Sequence, residues 1–323
     1  MRRLSFCLAA AVGALVAAPT AFAAGGPIFV TQGGTGVQSP VNRLHYVAVP
    51  DRAHGTLLET VDVAKRGVFG WARLHGSWGI PVIGNGYSSG SGQGFSRDGR
   101  TLVLESLGSP YVSPSRFLVV DARRMKALRT IVLPGVFSFD AISPDGSRMY
   151  LIQYRSKGDL NHYIVRAFDM RTDRLMPGKI ADRSEDEKTM AGTAMTRTTS
   201  ANGRWVYTLY QKPSGEPFVH ALDTVGAAAY CIDLPKNGAL YNVALSLRDG
   251  GRTLAVHWRS GRPWLNVAVG TWRVSRPGGG FPWAWTGAGI GGGLVLLAGC
   301  ALLLRRRRSQ ELEQHARQEL GLA

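Results

Sequence analysis

The sequence predicts an all-β fold of repeated units, in an exported chain that ends with one membrane-spanning helix. Three observations support this prediction: a turn motif that recurs along the chain, a charged and then apolar N-terminus, and a long uncharged stretch near the C-terminus. Of the 323 residues, 45% are hydrophobic. That share is enough to form a packed core, and it is higher than in chains that stay disordered.

The N-terminal residues 1–23 resemble a secretory signal peptide. Met1, Arg2 and Arg3 form a positive start, residues 4–16 are an apolar run, and Ala21-Phe22-Ala23 is an A-x-A cleavage site. A retained anchor is the alternative, but the run is shorter than the roughly 20 residues that a helix needs to span a bilayer. We therefore expect an exported domain over residues 24–278.

A short turn motif then recurs through the exported domain. It reads S-P-D-G at Ser143–Gly146 and S-R-D-G at Ser96–Gly99, and its looser copies lie near positions 41, 202 and 249. The aligned Asp or Asn positions are 41, 98, 145, 202 and 249, so the spacings alternate between 57 and 47 residues. An Asp-Gly or Asn-Gly pair between apolar runs is the strongest short-range signal for a β-hairpin, because glycine accepts the positive φ of the turn.

An apolar stretch with strand-like composition follows each copy of the motif, over residues 45–49, 101–104, 149–152, 205–209 and 254–258. In four units a second strand-like run then ends in an aspartate, at Asp62, Asp121, Asp169 and Asp223. Aspartate closes turns by hydrogen-bonding its own backbone. One unit therefore contains four antiparallel strands in about 47 residues, which is the size of a β-propeller blade.

These units resemble the bacterial YVTN/WD40-like β-propeller repeats, in which S-P-D-G-x-x-L-Y-V is followed later by V-I-D. The likeness covers most of residues 36–276 and is closest at residues 143–152. It implies a β-propeller of five four-stranded blades, or six if the 57-residue spacings hold further strands, and it implies no particular ligand.

A spare strand-like segment, residues 27–32, belongs to none of the five units. The fifth unit lacks the aspartate turn before its last strand, so it is short of strand-forming sequence. We expect residues 27–32 to complete or buttress the last blade and to protect its edge.

Residues that could carry chemistry are scattered, and we assign none as catalytic, cofactor-binding or metal-binding. Calcium needs six or more oxygen ligands, and the acidic segment of Asp182, Glu185, Asp186 and Glu187 lacks the D-x-D-x-D-G spacing, so a solvated loop is the stronger interpretation. The glycine-rich residues 84–94 have no phosphate-binding pattern. The lone side chains Cys231, His45 and His257 are more typical of packed or rim positions than of metal ligands.

The C-terminal part predicts a membrane helix within residues 279–304. Trp283 begins and Leu304 ends a run of 22 residues without a charge, and residues 305–308 are all arginine. The length matches a bilayer core, and the arginines indicate a cytoplasmic tail over residues 305–323. Glycines at 287 and 291 give a G-x-x-x-G spacing that suits helix pairing. The expected location is the cell membrane, with a single pass and the propeller outside the cytoplasm.

The function that we expect is binding or scaffolding of a protein or a cell-envelope ligand. The formal net charge is +16, but no run of basic residues within residues 24–278 is longer than two, and no nucleic-acid-binding module is recognisable. The alternative is a propeller enzyme, of lactonase or hydrolase type, with its active site in the central channel. An enzyme predicts carboxylates, histidines or asparagines that converge at one channel mouth with perturbed pKa values, whereas a scaffold predicts an exposed apolar patch.

Overall fold

The computed structural model of the chain describes residues 28–52, 55–83, 91–182, 190–238 and 240–278. The expected signal peptide, membrane span and cytoplasmic tail all lie outside these ranges. So do residues 84–90 of the glycine-rich segment and residues 183–189 of the acidic segment. Within the described ranges, no helix has the length and apolarity needed to cross a membrane.

The described chain is all-β and forms five antiparallel sheets, which is consistent with a β-propeller. Sheet 1 contains β2 (Val37–Gln38), β3 (Leu44–Asp51), β4 (Gly55–Asp62) and β5 (Gly67–His75). Sheet 2 contains β6 (Trp78–Ile83), β8 (Thr101–Ser106), β9 (Ser115–Asp121) and β10 (Lys126–Leu133), together with the short strands β1 (Ile28–Thr31) and β7 (Ser91–Gly92).

The other three sheets follow in chain order. Sheet 3 contains β11 (Phe137–Ile142), β12 (Arg148–Ser156), β13 (Asp159–Asp169) and β14 (Arg174–Leu175), with β15 (Met190–Ala191) beside β13. Sheet 4 contains β16 (Thr193–Thr199), β17 (Trp205–Gln211), β18 (Pro217–Asp223) and β19 (Ala228–Asp233). Sheet 5 contains β20 (Val243–Arg248), β21 (Thr253–Trp258), β22 (Pro263–Ala268) and β23 (Val274–Ser275).

The repeat predicted from the turn motif is confirmed by this strand order. Each apolar stretch that follows a motif copy is the second strand of a sheet, namely β3, β8, β12, β17 or β21. The four repeated aspartates end β4, β9, β13 and β18. The extra residues in the two 57-residue spacings lie between β6 and β8 and between β14 and β16, so they enlarge sheets 2 and 3 and add no sixth sheet to the described chain.

The prediction that residues 27–32 complete the last blade is wrong. β1 pairs with β6 of sheet 2, from Ile28 opposite Ile83 to Thr31 opposite Ile80, and β23 completes sheet 5. The reason is a split in the first strand of sheet 2. Only Trp78 and Gly79 of β6 pair with β8, and Phe95 resumes that ladder later. Residues 80–83 therefore need other partners, which β1 and β7 provide.

The hydrophobic core lies between neighbouring sheets. Every residue of β11 and β18 is buried, so the central sheets 3 and 4 pack on both faces. β4 instead alternates buried and half-buried residues, because sheet 1 packs against sheet 2 on one face only. Buried clusters join sheet 1 to 2, 2 to 3, 3 to 4 and 4 to 5. Among the described residues no such cluster joins sheet 5 to sheet 1.

The strand directions give the molecule two distinct ends. The motif turns between the first and second strands, and the turns between the third and fourth strands, lie together at one end, which we name the turn face. Contacts between Arg97, Pro40 and Ala201 bring three motif turns together there. The remaining connections lie at the opposite end. β23 runs away from the turn face, so the chain also leaves sheet 5 at that end, which we name the exit face.

Candidate functional site

The repeated S-P-D-G motif shapes the fold and does not form a site. Asp145 accepts hydrogen bonds from Ser143 Oγ at 2.7 Å and from the Ser147 amide at 3.0 Å, while Ser143 Oγ accepts the Arg148 amide at 2.9 Å. Partial burial opposes ionisation of Asp145, but these hydrogen bonds outweigh it and lower its pKa to about 2. The same bonds recur at the copies that begin with Ser96 and Ser200. The motif is therefore a structural hairpin turn.

A cavity of about 340 Å³ opens where the first strands of sheets 1 to 4 meet. Its walls include Gln38, Phe95, Phe139 and Val206, one from each of these four sheets. The cavity has the position of a propeller channel, and the motif turns surround its mouth. An enzyme with its active site in the channel would have its catalytic acids and bases among the residues that line this cavity.

Arg97 is the one charged residue among the described residues that line this cavity. Its Nε donates to the carbonyl of Ala201 at 2.6 Å, and its Nη1 donates to the carbonyl of Pro40 at 3.1 Å. The guanidinium therefore links the motif turns of sheets 1, 2 and 4 across the mouth. No carboxylate and no histidine of the described residues lines the cavity, so the convergence predicted for a channel enzyme is not present in this part of the chain.

Several ionisable groups, among them one ion pair, are buried inside the sheets. Asp140 on β11 and Arg197 on β16 form an ion pair in which the side chains are 1% and 2% exposed. Arg197 Nε also donates to Thr208 Oγ1 at 2.8 Å. Thr208 lies opposite His220 on the next strand, and His220 lies opposite Cys231. A polar row thus crosses sheet 4 on the face that meets sheet 3.

His220 and Glu105 each favour the neutral form. Burial is the main cause of the lowered pKa of His220, about 4, and its Nε2 has no hydrogen-bond partner among the described residues. Burial also raises the pKa of Glu105 to about 7, against hydrogen bonds from Ser109 and from the Phe139 amide. Both side chains are fully enclosed. Because no substrate reaches them, we interpret them as parts of a buried network and not as acid–base catalysts.

The residues considered from sequence as metal ligands do not come together as a ligand set within the described ranges. Asp182 Oδ2 accepts the Cys231 amide at 2.7 Å, and Glu185, Asp186 and Glu187 lie outside the description. His45 contacts the Thr35 carbonyl and His257 contacts the Trp258 carbonyl. In the described chain, no three His, Cys, Asp or Glu side chains are grouped so that they could hold a metal ion.

An exposed apolar patch was missed by the sequence analysis and lies on β5, the outermost strand of sheet 1. Val68, Phe69 and Trp71 are 55%, 59% and 62% exposed, whereas Leu74 on the same strand is 2% exposed. Lys65 Nζ lies 5.2 Å from the centre of the Phe69 ring. We name Val68, Phe69 and Trp71 the β5 patch. Burying an aromatic or large aliphatic side chain stabilises a fold by about 1.5–3 kcal/mol. The exposed side chains of the β5 patch do not contribute this stabilisation to the folded chain.

The sheets and the channel define an all-β protein of propeller type. No family model matches the chain, and no curated protein sequence matches it. Among solved structures, the β-propeller domain of Cps50 (Swd1) from Myceliophteria thermophila is 13% identical with a TM-score of 0.43, and the match covers 75% of this chain and 67% of that one.

Two further structures are similar at the same level. TolB from Acinetobacter baumannii is 12% identical with a TM-score of 0.41, over 77% of this chain and 56% of that chain. Hydrazine synthase from Kuenenia stuttgartiensis is 16% identical with a TM-score of 0.40, and the match covers 73% of this chain and 74% of that chain. The propeller-type architecture described above rests on the strand pairing of this chain and not on these matches.

Proposed function

We propose that this chain is an exported, membrane-anchored β-propeller that binds an extended segment of a partner protein along β5. The observation that carries the proposal is the β5 patch, which exposes three large apolar side chains on one strand. Exposed apolar groups concentrated in one place are typical of interaction sites. The export and the anchor come from the predicted signal peptide at residues 1–23 and the predicted span within residues 279–304.

The edge of β5 suits the addition of a further strand. β5 has nine residues and is the last strand in sheet 1, and no described strand pairs with its outer side. Its outer N–H and C=O groups are therefore available to another chain. The strand contains no proline and no lysine, which are the residues that most often protect such edges. An extended peptide would pair with this edge and place its apolar side chains against Phe69 and Trp71.

The face of sheet 1 that points away from sheet 2 adjoins the β5 patch and enlarges the surface on which a partner could bind. Val47 lies opposite Glu59, and Glu59 lies opposite Trp71, so these residues share one face. Leu57 and Val61 lie on the same face and are half-buried. Because no buried cluster of described residues covers this face from sheet 5, a bound strand at β5 would also reach apolar side chains beyond the patch.

Proximity labelling on intact cells tests the proposed function. A labelling enzyme fused after the predicted signal peptide should mark a partner protein outside the cytoplasm. The double variant Phe69→Ser, Trp71→Ser should lose that partner, because both contacts are removed while little buried area changes. The matched variant Leu128→Ser, Val132→Ser removes exposed apolar groups from β10 and should keep it. The same labelled proteins in all three chains would contradict a binding role for the β5 patch.

A further inference from the structure

We propose that the exit face of the propeller rests on the membrane and that its ligand is the anionic headgroup layer of that bilayer. The proposal deepens the membrane anchoring stated under the proposed function and depends on it. Three features of the exit face support it: the place where the chain leaves the fold, a surplus of basic side chains, and an exposed apolar loop.

The chain leaves the fold close to the predicted membrane span. The last described residue, Gly278, follows β23 at the exit face, and the predicted span begins at Trp283. Five residue steps reach at most roughly 17 Å, even when fully extended. Charges are screened over about 8 Å at physiological ionic strength, so the exit face stays within about two screening lengths of the headgroups. The turn face is on the far side of the propeller.

Four described acidic side chains of the exit face each pair with a basic or histidine side chain. Asp51 pairs with Arg73 at 2.6 Å, and Asp233 pairs with Lys212 at 3.3 Å. Asp159 contacts His162, and Glu216 pairs with Lys236. Six further exposed basic residues of this face make no ion pair with a described carboxylate: Arg52, Arg116, Arg155, Lys157, Arg259 and Arg262. Unpaired basic side chains near an anionic bilayer surface are attracted to its headgroups.

An apolar loop extends from the same face, between β8 and β9 of sheet 2. Leu107, Tyr111 and Val112 are 36%, 51% and 37% exposed. The loop is fixed at its base, because Ser109 Oγ lies 3.0 Å from the Phe137 carbonyl and the Leu107 amide donates to the Ser77 carbonyl. An anchored loop with an apolar tip, on the same face as exposed basic residues, suits contact with anionic headgroups above the hydrocarbon layer.

A second group of aromatic residues lies where the chain exits. Trp258 and Trp264 flank the turn between the second and third strands of sheet 5, with ring centres 6.2 Å apart. The Arg262 guanidinium lies 5.3 Å from the Trp258 ring. Tryptophan and arginine together are typical of membrane interfaces. Sheets 2 and 5 therefore give the exit face two contact points.

Hydrogen exchange of the full chain in lipid nanodiscs tests the inference. One set of discs contains phosphatidylcholine alone, and the other contains phosphatidylcholine with phosphatidylglycerol. Amides of residues 107–113 should exchange several-fold more slowly in the phosphatidylglycerol discs, and high salt should abolish the difference. In the triple variant Arg116→Gln, Arg155→Gln, Lys157→Gln, residues 107–113 should exchange equally fast in the two disc types.

The turn face provides the matched control. It also carries exposed basic residues, so the variant Arg66→Gln, Arg123→Gln, Arg252→Gln should keep the slower exchange of residues 107–113. Equal exchange in the two disc types, with the chain eluting together with the discs, would overturn the docking of the exit face and leave the anchor intact. A chain that elutes apart from the discs would overturn the anchor as well as the docking.

Discussion

Glu105 shows how one residue can make stability depend on pH. Ser109 Oγ lies within hydrogen-bonding distance of both Glu105 Oε1 and the Phe137 carbonyl. A hydroxyl has one proton, so it satisfies both acceptors only if Glu105 is protonated and donates to Ser109. The other groups that face this carboxyl are Ser138 and the Tyr154 ring, and neither supplies a positive charge. Burial therefore favours the neutral acid and outweighs the hydrogen bonds from Ser109 and the Phe139 amide, which favour the carboxylate.

A raised carboxyl pKa lowers stability as the pH rises. Between the ordinary pKa of 4.5 and the folded value of about 7, the unfolded chain loses the Glu105 proton while the folded chain keeps it. The contribution of Glu105 to the free energy of unfolding is thus fully present below pH 4.5, falls up to about pH 7 and is constant above. The shift corresponds to roughly 3 kcal/mol.

Glu105→Gln should remove this part of the pH dependence. Its amide can donate to Ser109 and accept from the Phe139 amide as the neutral acid does, so the variant should match the wild type near pH 5 and exceed it at pH 8. Denaturant unfolding of the two proteins at both pH values measures the difference. If the two proteins differ by the same free energy at pH 5 and pH 8, Glu105 is ionised in the fold.

At the scale of elements, the motif turns explain how much could be predicted from sequence. The hairpin signal is local, because glycine's positive φ and the Ser–Asp hydrogen bonds involve residues within six positions. The second strands and the aspartate turns were therefore predicted correctly. β1 was misplaced because its partner depends on the split in β6, which is a long-range feature. Glu105 and the β5 patch were missed because hydrophobicity alone does not tell which face of a sheet is covered.

The motif glycines differ in what surrounds them. Gly146 has φ +72, and a Cβ there would lie 2.9 Å from Thr101 Oγ1 of the neighbouring sheet. Gly250 occupies the same motif position in the fifth unit, with φ +66, and a Cβ there would meet nothing within 4 Å. The first glycine is needed for backbone conformation and for close packing, and the second for conformation alone.

Gly250→Ala should therefore cost about 1–2 kcal/mol, the usual penalty for a left-handed non-glycine residue. Gly146→Ala should cost more, because the contact with Thr101 is added. Thermal unfolding of both variants beside the wild type measures the two effects. Equal losses would mean that the turns of sheets 2 and 3 are not in contact as described.

At the scale of the whole molecule, the five sheets are not equivalent. Sheets 3 and 4 are covered on both sides, whereas the buried clusters of the described residues join sheet 1 only to sheet 2 and sheet 5 only to sheet 4. The face of sheet 5 that points away from sheet 4 presents Ser246, Asn266 and Ser275, which are small and polar. The corresponding face of sheet 1 presents larger apolar side chains, such as Leu57 and Trp71, beside the charged Glu59 and Arg73. A partner therefore gains more apolar contact by binding to sheet 1, whose outermost strand β5 has nine residues and contains no proline or lysine.

The two proposed surfaces have compatible positions. The exit face contacts the bilayer in the proposed arrangement, and the β5 patch lies on the rim, so a partner can reach it from the side without displacing the membrane contact. Arg97 joins sheets 1, 2 and 4 across the channel mouth. That link ties the motif turns of three sheets together at the turn face, on the side that faces away from the bilayer in the proposed arrangement.

Site-specific photo-crosslinking on intact cells tests the central claim most directly. A photoreactive amino acid replaces Trp71 in one protein and Leu128, exposed on β10, in another. Irradiation of the Trp71 protein should give one discrete crosslinked product with a second protein, while the Leu128 protein should give little or none. Products of equal intensity from both positions, or no product from position 71, would contradict binding along β5.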